Sequence, residues 1–226
     1  MRYGVGQPLR RREDERFLTG AGRFVGDISL ENQCYAHVVY SDHAHAKIVG
    51  IDVEAARSAT GVIAVFTGRD AAEDGVGPIG PRFMPEDMGG PKGYRTERRI
   101  LALDRVRHVG ERVAVVIAET LDTATEAAEL IDIEYEALPV VVGAEAATAS
   151  GAPPIYDGAE GNISFTARFG DADATEQAFR GAAHVVSVPL HHERLAAAPL
   201  EPRASIGAYA AADDLYTLYT GTQAPH

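Results

Sequence analysis

Residues 106–142, VRHVGERVAVVIAETLDTATEAAELIDIEYEALPVVV, constrain the fold more than any other stretch, because two hydrophobic periods follow one another there without a break. Residues 113–118 are an unalternating run of six apolar side chains, four of them β-branched, which is the composition of a strand covered on both faces and set mid-sheet. Thr123 with Glu126 three residues on has the form of a capping box, after which Ala124, Ala127, Ala128 and Ile131 mark one helical face. At Ile131 the period changes to two. Ile131, Ile133 and Tyr135 alternate with Asp132, Glu134 and Glu136 as a half-exposed strand requires, and Leu138-Pro139 closes it because proline lacks a ladder donor. The local prediction is strand, helix, strand: a packing unit with no catalytic group of its own.

The chain has 226 residues, 46% of them hydrophobic, enough for one large or two small domains with a sizeable core. Its 21 basic and 33 acidic residues give a net charge of −12, which argues against nucleic acid or an anionic membrane as partner. A single cysteine, Cys34, excludes an internal disulfide and any site built on several thiolates, and its apolar surroundings predict a buried, inert thiol. The charged N-terminus lacks the apolar segment of a secretion signal, and no run is long enough to span a bilayer, so a cytoplasmic location is expected.

Taken in order, residues 10–16 (RRREDER) read as a solvated arm with internal ion pairs, and 18–22 (LTGAG) as a turn, since neither a Gly-Lys-Ser/Thr sequel nor a helical pattern comes after it. Strands are expected at 34–40, 47–51 and 62–66, with a short helix capped by Asp52 between the last two and Gly61 after its end. His43 and His45 lie two apart, which puts both imidazoles on one side of an extended chain, yet no third or fourth metal ligand accompanies them. Residues 68–99 lose periodicity and gain ten glycines and prolines after position 74, the pattern of an interface arm. The small-residue stretch 146–161 has the composition of a linker, which predicts a first domain over 1–145 and a second segment over 162–226. In that segment Asp171 caps a helix ending near Gly181, strands are expected at 184–190, 204–209 and 215–220, and His191-His192-Glu193 reads as a solvated strand end. Glu201-Pro202-Arg203 and Gln223 are polar groups in apolar company to which physics alone assigns no role.

Five segments in fixed order, LTGAGRFVGDI, SDHAHAKIVGIDVEAARSATGVIAVFTGRD, LALDRVRHVGERVAVVIAETLDTATEAAELIDIEYEALP, FGDADATEQAFRGAAHVV and LAAAPLEPRASIGAY with YTGTQAPH, resemble the large subunit of the molybdenum hydroxylases, the xanthine dehydrogenase, aldehyde oxidase and carbon monoxide dehydrogenase family. Each motif is moderately specific and their ordered combination is strong. The resemblance implies an α+β fold: an α/β hammerhead domain over 1–145, then the linker and the truncated start of the first molybdopterin-binding domain. The family's Ser-Thr-Gln segment sets a glutamine amide beside the molybdenum, and its counterpart in Gly221-Thr222-Gln223 is Gln223, the one cofactor-binding residue implied. Two loop departures, Arg112 where the family often has proline and Asp42 after Ser41 where it has Ser-Pro, leave that assignment standing.

The family's glycine-rich segment and its catalytic glutamate lie beyond the last residue, so no catalytic residue is expected in this chain and none that ligates metal. The resemblance therefore implies an N-terminal part, by truncation or as one piece of a split subunit, inactive alone. The whole would hydroxylate aldehydes or N-heterocycles or oxidise carbon monoxide. Implied cofactors are molybdopterin, in its cytosine dinucleotide form, on the complete large subunit, with iron–sulfur clusters and FAD on partner subunits. Implied partners are a downstream molybdopterin-binding region or chain, an iron–sulfur subunit and an FAD subunit, in a dimer of the assembled complex. The alternative is a non-catalytic assembly module that keeps only the hammerhead fold.

Overall fold

The computed structural model describes residues 6, 10–193, 195–199 and 201–222. In chain order the elements are α1 (Asp14–Leu18), β1 (Tyr35–Tyr40), β2 (Ala46–Asp52), α2 (Glu54–Arg57), β3 (Val62–Thr67), α3 (Gly68–Glu73), β4 (Arg105–Val106), β5 (Arg112–Ala118), α4 (Leu121–Ala128), β6 (Asp132–Ala137), α5 (Ala144–Thr148), α6 (Ala172–Gly181), β7 (Ser205–Ala210) and β8 (Leu215–Thr220). Short 3-10 turns lie at Val25–Asp27, Pro85–Met88 and Glu160–Asn162. The chain forms two compact units, one of residues 34–185 and one of residues 1–33 with 186–226.

In the larger unit β5 is the middle strand of a three-stranded antiparallel sheet, β1-β5-β3, as the apolar run predicts. Its two faces serve two cores. Val116 and Ala118 pack with Val53, Ala56, Val65, Ala124 and Ala127, whereas Val113, of opposite parity, packs with Ala46, Ala102 and Val106. That double duty is why the strand shows no polar alternation. The alanines of α4 allow the helix to lie close on the sheet, and Ala124 and Ala127 are buried there.

The second sheet, β4-β2-β6, is also antiparallel. Each strand-helix-strand unit therefore passes from one sheet to the other: β2-α2-β3 leads from the second to the first, and β5-α4-β6 leads back. The cap of α4 lies three residues earlier than the pattern suggests, since Thr120 Oγ1 accepts from the backbone N–H of Thr123 at 3.1 Å. Asp52 does accept from the Glu54 N–H, at 3.0 Å, though α2 is only one turn long.

The aperiodic stretch 68–99 is partly folded back on itself. It opens with α3, pairs Ile79 with Arg98 in an isolated bridge, and buries Met84. The stretch 146–161 is likewise fixed. The side chain of Asn162 accepts from the Ile155 N–H at 2.8 Å and donates to the carbonyls of Ala147 and Pro153, both at 3.0 Å. Two expectations fail here. Cys34 is exposed, because the ladder of β1 begins one residue later and the apolar neighbours that suggested burial belong to the strand itself. Residues 184–190 form no strand: Val185, Val186, Val188 and Leu190 are exposed, and β-propensity without a neighbouring strand to pair with makes no ladder.

In the smaller unit α1 begins within the charged cluster of residues 10–16, with Arg16 in its last turn, and Phe17 stacks on Phe24 with ring centroids 5.7 Å apart. Strands β7 and β8 form an antiparallel hairpin whose register runs from Ser205 opposite Thr220 to Ala210 opposite Leu215.

Candidate functional site

The only sequence-predicted site residue, Gln223, lies outside the described residues. The strand leading to it is described. At the open end of the hairpin Ser205 Oγ and Thr220 Oγ1 are 3.1 Å apart, so the last ladder pair is tied by side chains as well as backbone. Glu201 governs the same end. One carboxylate oxygen accepts the Val25 N–H at 3.3 Å, and the carboxylate sits so close to Gly221 that a Cβ there would lie 3.3 Å from it. A side chain at 221 would crowd that carboxylate, so glycine lets the chain pass close to it. The sequence carried no signal for this: Glu201 and Val25 are 176 positions apart.

The described chain leaves this strand pair at Gly221, beside the Glu201 carboxylate.

The two histidine candidates resolve as structural. His45 is buried, and its Nδ1 lies 2.8 Å from the Pro139 carbonyl oxygen. A carbonyl only accepts, so Nδ1 carries the proton. His45 Nε2 is buried with no hydrogen-bond partner among the described residues. His43 instead stacks on Tyr135, centroids 4.4 Å apart, and its Nδ1 meets Asp42 Oδ1 at 2.7 Å. That hydrogen bond is the main reason the Asp42 carboxyl is held below the usual carboxylate range. Burial pushes the Tyr135 phenol up, against a smaller opposing effect of the Ser41 hydroxyl. His191 and Glu193 pair at 2.9 Å on an exposed segment. Among the described residues no three His, Cys, Asp or Glu side chains are grouped to hold a metal ion, and no helix is long and apolar enough to cross a membrane.

The α+β arrangement of two interleaved antiparallel sheets, with a separate hairpin ending at Thr220, defines a class that the comparisons name. Residues 19–139 match the family described as "Aldehyde oxidase and xanthine dehydrogenase, a/b hammerhead domain", and residues 155–226 match "Molybdopterin cofactor-binding domain". The chain belongs to the aldehyde oxidase and xanthine dehydrogenase family of molybdenum hydroxylase large subunits. It is 37% identical over 225 residues to the nicotine 6-hydroxylase large subunit of Paenarthrobacter nicotinovorans, covering 98% of this chain and 26% of that protein. To the carbon monoxide dehydrogenase large chain of Afipia carboxidovorans it is 31% identical, covering 99% of this chain and 28% of the relative. Among solved structures, quinoline 2-oxidoreductase from Pseudomonas putida 86 superposes with a TM-score of 0.82 at 36% identity, over 98% of this chain and 27% of that one. The chain thus spans about a quarter of the length of the curated relatives it matches.

Proposed function

We propose that this chain is the N-terminal part of the molybdopterin-binding large subunit of an oxidoreductase that hydroxylates an N-heterocycle. The observation that carries the reading is the pair of matched spans in family order, 19–139 and 155–226. The names of two relatives, nicotine 6-hydroxylase and quinoline 2-oxidoreductase, favour a nitrogen heterocycle over an aldehyde or carbon monoxide. On this reading the hammerhead domain takes in 1–145 and the molybdopterin-binding domain begins at 162, a partition that the limits of the matched spans, 139 and 155, support.

Bound molybdopterin, in its cytosine dinucleotide form, supplies the two-electron oxidation, and iron–sulfur and FAD subunits in the cytoplasm carry the electrons away. The part of this chain is positional. Gln223 would be the residue that holds the cofactor, its amide supplying a hydrogen-bond donor, and Glu201, anchored on Val25 and close to Gly221, would support the strand end before it. The exposed apolar side chains of the hairpin, Tyr216 and Leu218 among them, are the surface on which the downstream cofactor-binding region packs.

The test joins this chain to the downstream family region, loads the cofactor and assays nicotine and quinoline with an artificial electron acceptor. Turnover is expected from the assembly and none from the chain alone. Gln223→Ala should lower kcat roughly tenfold or more at unchanged molybdenum content. Turnover by the chain alone, or full turnover by the assembled variant, refutes the reading, and failure of the two parts to associate favours a non-catalytic module.

A further inference from the structure

Residues 92–112 hold seven of the chain's 21 lysines and arginines and only three acids, in a protein whose net charge is −12. The fold gathers much of this charge around one cavity. Tyr94, Arg95, Arg99, Arg105, Arg107 and Tyr156 line a space of about 410 Å³, together with the carboxylates of Glu97, Asp104 and Glu111. The cavity lies wholly within the larger unit.

The four guanidinium groups differ in how their charge is met. Arg95 is matched by Glu86 at 3.2 Å and by Asp87, and Arg105 by Asp157 at 3.0 Å. Arg99 has only Glu97, at 3.8 Å. Arg107 has no carboxylate within ion-pair distance among the described residues. Its Nε donates to the Ile155 carbonyl at 3.3 Å and its Nη1 to the Arg105 carbonyl at 3.5 Å, and the guanidinium lies 4.7 Å from the Tyr156 ring centroid. Glu111 makes no ion pair with the guanidinium: its carboxylate accepts the backbone N–H of Arg107 and fixes the main chain there.

Arg107 is therefore a half-buried cation held in place by two carbonyls and an aromatic face, in no ion pair among the described residues. Partial burial makes such a charge costly alone and attractive to an anion. The planar fork of a guanidinium suits tetrahedral oxyanions, which it binds through two parallel N–H donors. The phenol of Tyr156 adds a neutral donor, since burial raises it and keeps it protonated through the physiological range.

We propose that this cavity is a binding site for a phosphate monoester, its phosphoryl oxygens taken by Arg107 and Arg99 and its organic part seated against Tyr94 and Tyr156. The carboxylates of Glu97 and Asp104 in the wall accept from hydroxyl or amine groups on the same ligand. Nothing in this site depends on molybdenum, so it stands or falls separately from the proposed oxidoreductase activity.

The probes are inorganic phosphate and phenyl phosphate, titrated into the full chain with sodium chloride at matched ionic strength and followed by the thermal midpoint and by calorimetry. A saturable rise in midpoint is expected with both phosphates, with phenyl phosphate the tighter, and none with chloride. Arg107→Gln should weaken phosphate at least tenfold, as should Arg99→Gln in case the first variant folds poorly. Arg168→Gln, an exposed arginine outside the cavity, should leave it unchanged. A non-saturable rise shared with chloride overturns the proposal, as does saturable binding indifferent to both cavity variants. Binding of an acidic peptide through Arg107 with no response to either phosphate also overturns it, in favour of a protein partner.

Discussion

Gly68 tests the packing of the two cores more sharply than any large apolar residue, because the structure leaves no volume for a single methyl group. It is buried at the first position of α3, and a Cβ built on it would stand 2.1 Å from the Ala102 carbonyl oxygen, 2.7 Å from the Ala102 carbonyl carbon and 2.9 Å from the Leu103 Cα. All three are backbone atoms, so no side chain can rotate away. Ordinary contact begins near 3.4 Å, so Gly68→Ala requires a relative displacement of about 1.3 Å between α3 and the 102–103 segment. That segment is held by the Ala102 N–H, which donates to the Arg112 carbonyl on β5 at 2.7 Å, and by Ala102 itself, buried with Ala46, Val106 and Val113. Overpacking of this kind costs roughly 1–3 kcal/mol, and loosening the hydrogen bond about 1 more. Alanine's better helix propensity returns less than about 1 kcal/mol at a helix start. The expected loss is about 2–3 kcal/mol, read as a fall of roughly 1 M in the urea midpoint by far-ultraviolet circular dichroism. Gly50→Ala is the control: nothing lies within 4 Å of its Cβ, so it should stay within about 0.5 kcal/mol of the wild type. A Gly68→Ala protein as stable as Gly50→Ala would show that α3 does not pack on the 102–103 segment as described.

Removing the hydroxyl of Thr120 should cost about 1 kcal/mol as a lost helix cap, and more than the same change at Thr123, whose hydroxyl meets that of Thr120 at 2.8 Å but caps no backbone group; equal urea midpoints for the two variants would contradict the assignment. Asp70 gives a pH signature. The hydroxyl and backbone N–H of Thr67 both donate to its carboxylate at 2.6 Å, and the hydroxyl is the chief reason its pKa is lowered. A carboxyl with a depressed folded pKa contributes stability that is present above its unfolded pKa of about 3.9 and is lost as pH falls through the folded value. The stability difference between wild type and Asp70→Asn should therefore be constant near pH 6 and shrink below about pH 4; a difference independent of pH would sink the argument. Native Cys34 should react with a thiol reagent in one fast phase before any denaturant is added, because it is exposed.

Legibility followed the range of the interactions. The double-sided burial of β5 could be read from residues 113–118 because one strand's own composition records how many of its faces are covered. Which sheet each strand joins could not be. The alternation in β6 says that one face is buried, yet it is equally compatible with pairing to β5 or to β2, and only the fold shows Tyr135 opposite Ile48. The misplaced cap has a local cause. Thr120 and Thr123 are both three residues ahead of a polar side chain, but only Thr123 has glutamate there, so the pattern favoured the wrong threonine. The structure chose the one whose hydroxyl reaches a free N–H.

The same reasoning separates the two candidate sites. Gln223 is proposed from the order of motifs along the chain, and nothing in its chemistry or spacing singles it out. The Glu201 contact with Val25 near the hairpin end crosses 176 positions that no motif spans. The arginine cavity is the converse case. Its charge is dense enough to be counted in the sequence, but whether a basic run is solvated, neutralised or left open depends on where Glu86, Asp87 and Asp157 fall. Those three acids answer Arg95 and Arg105 and leave Arg107 with carbonyls and a ring face. A count of charges gives the number of guanidinium groups, whereas the fold determines which of them makes no ion pair among the described residues, and that distinction carries the binding proposal.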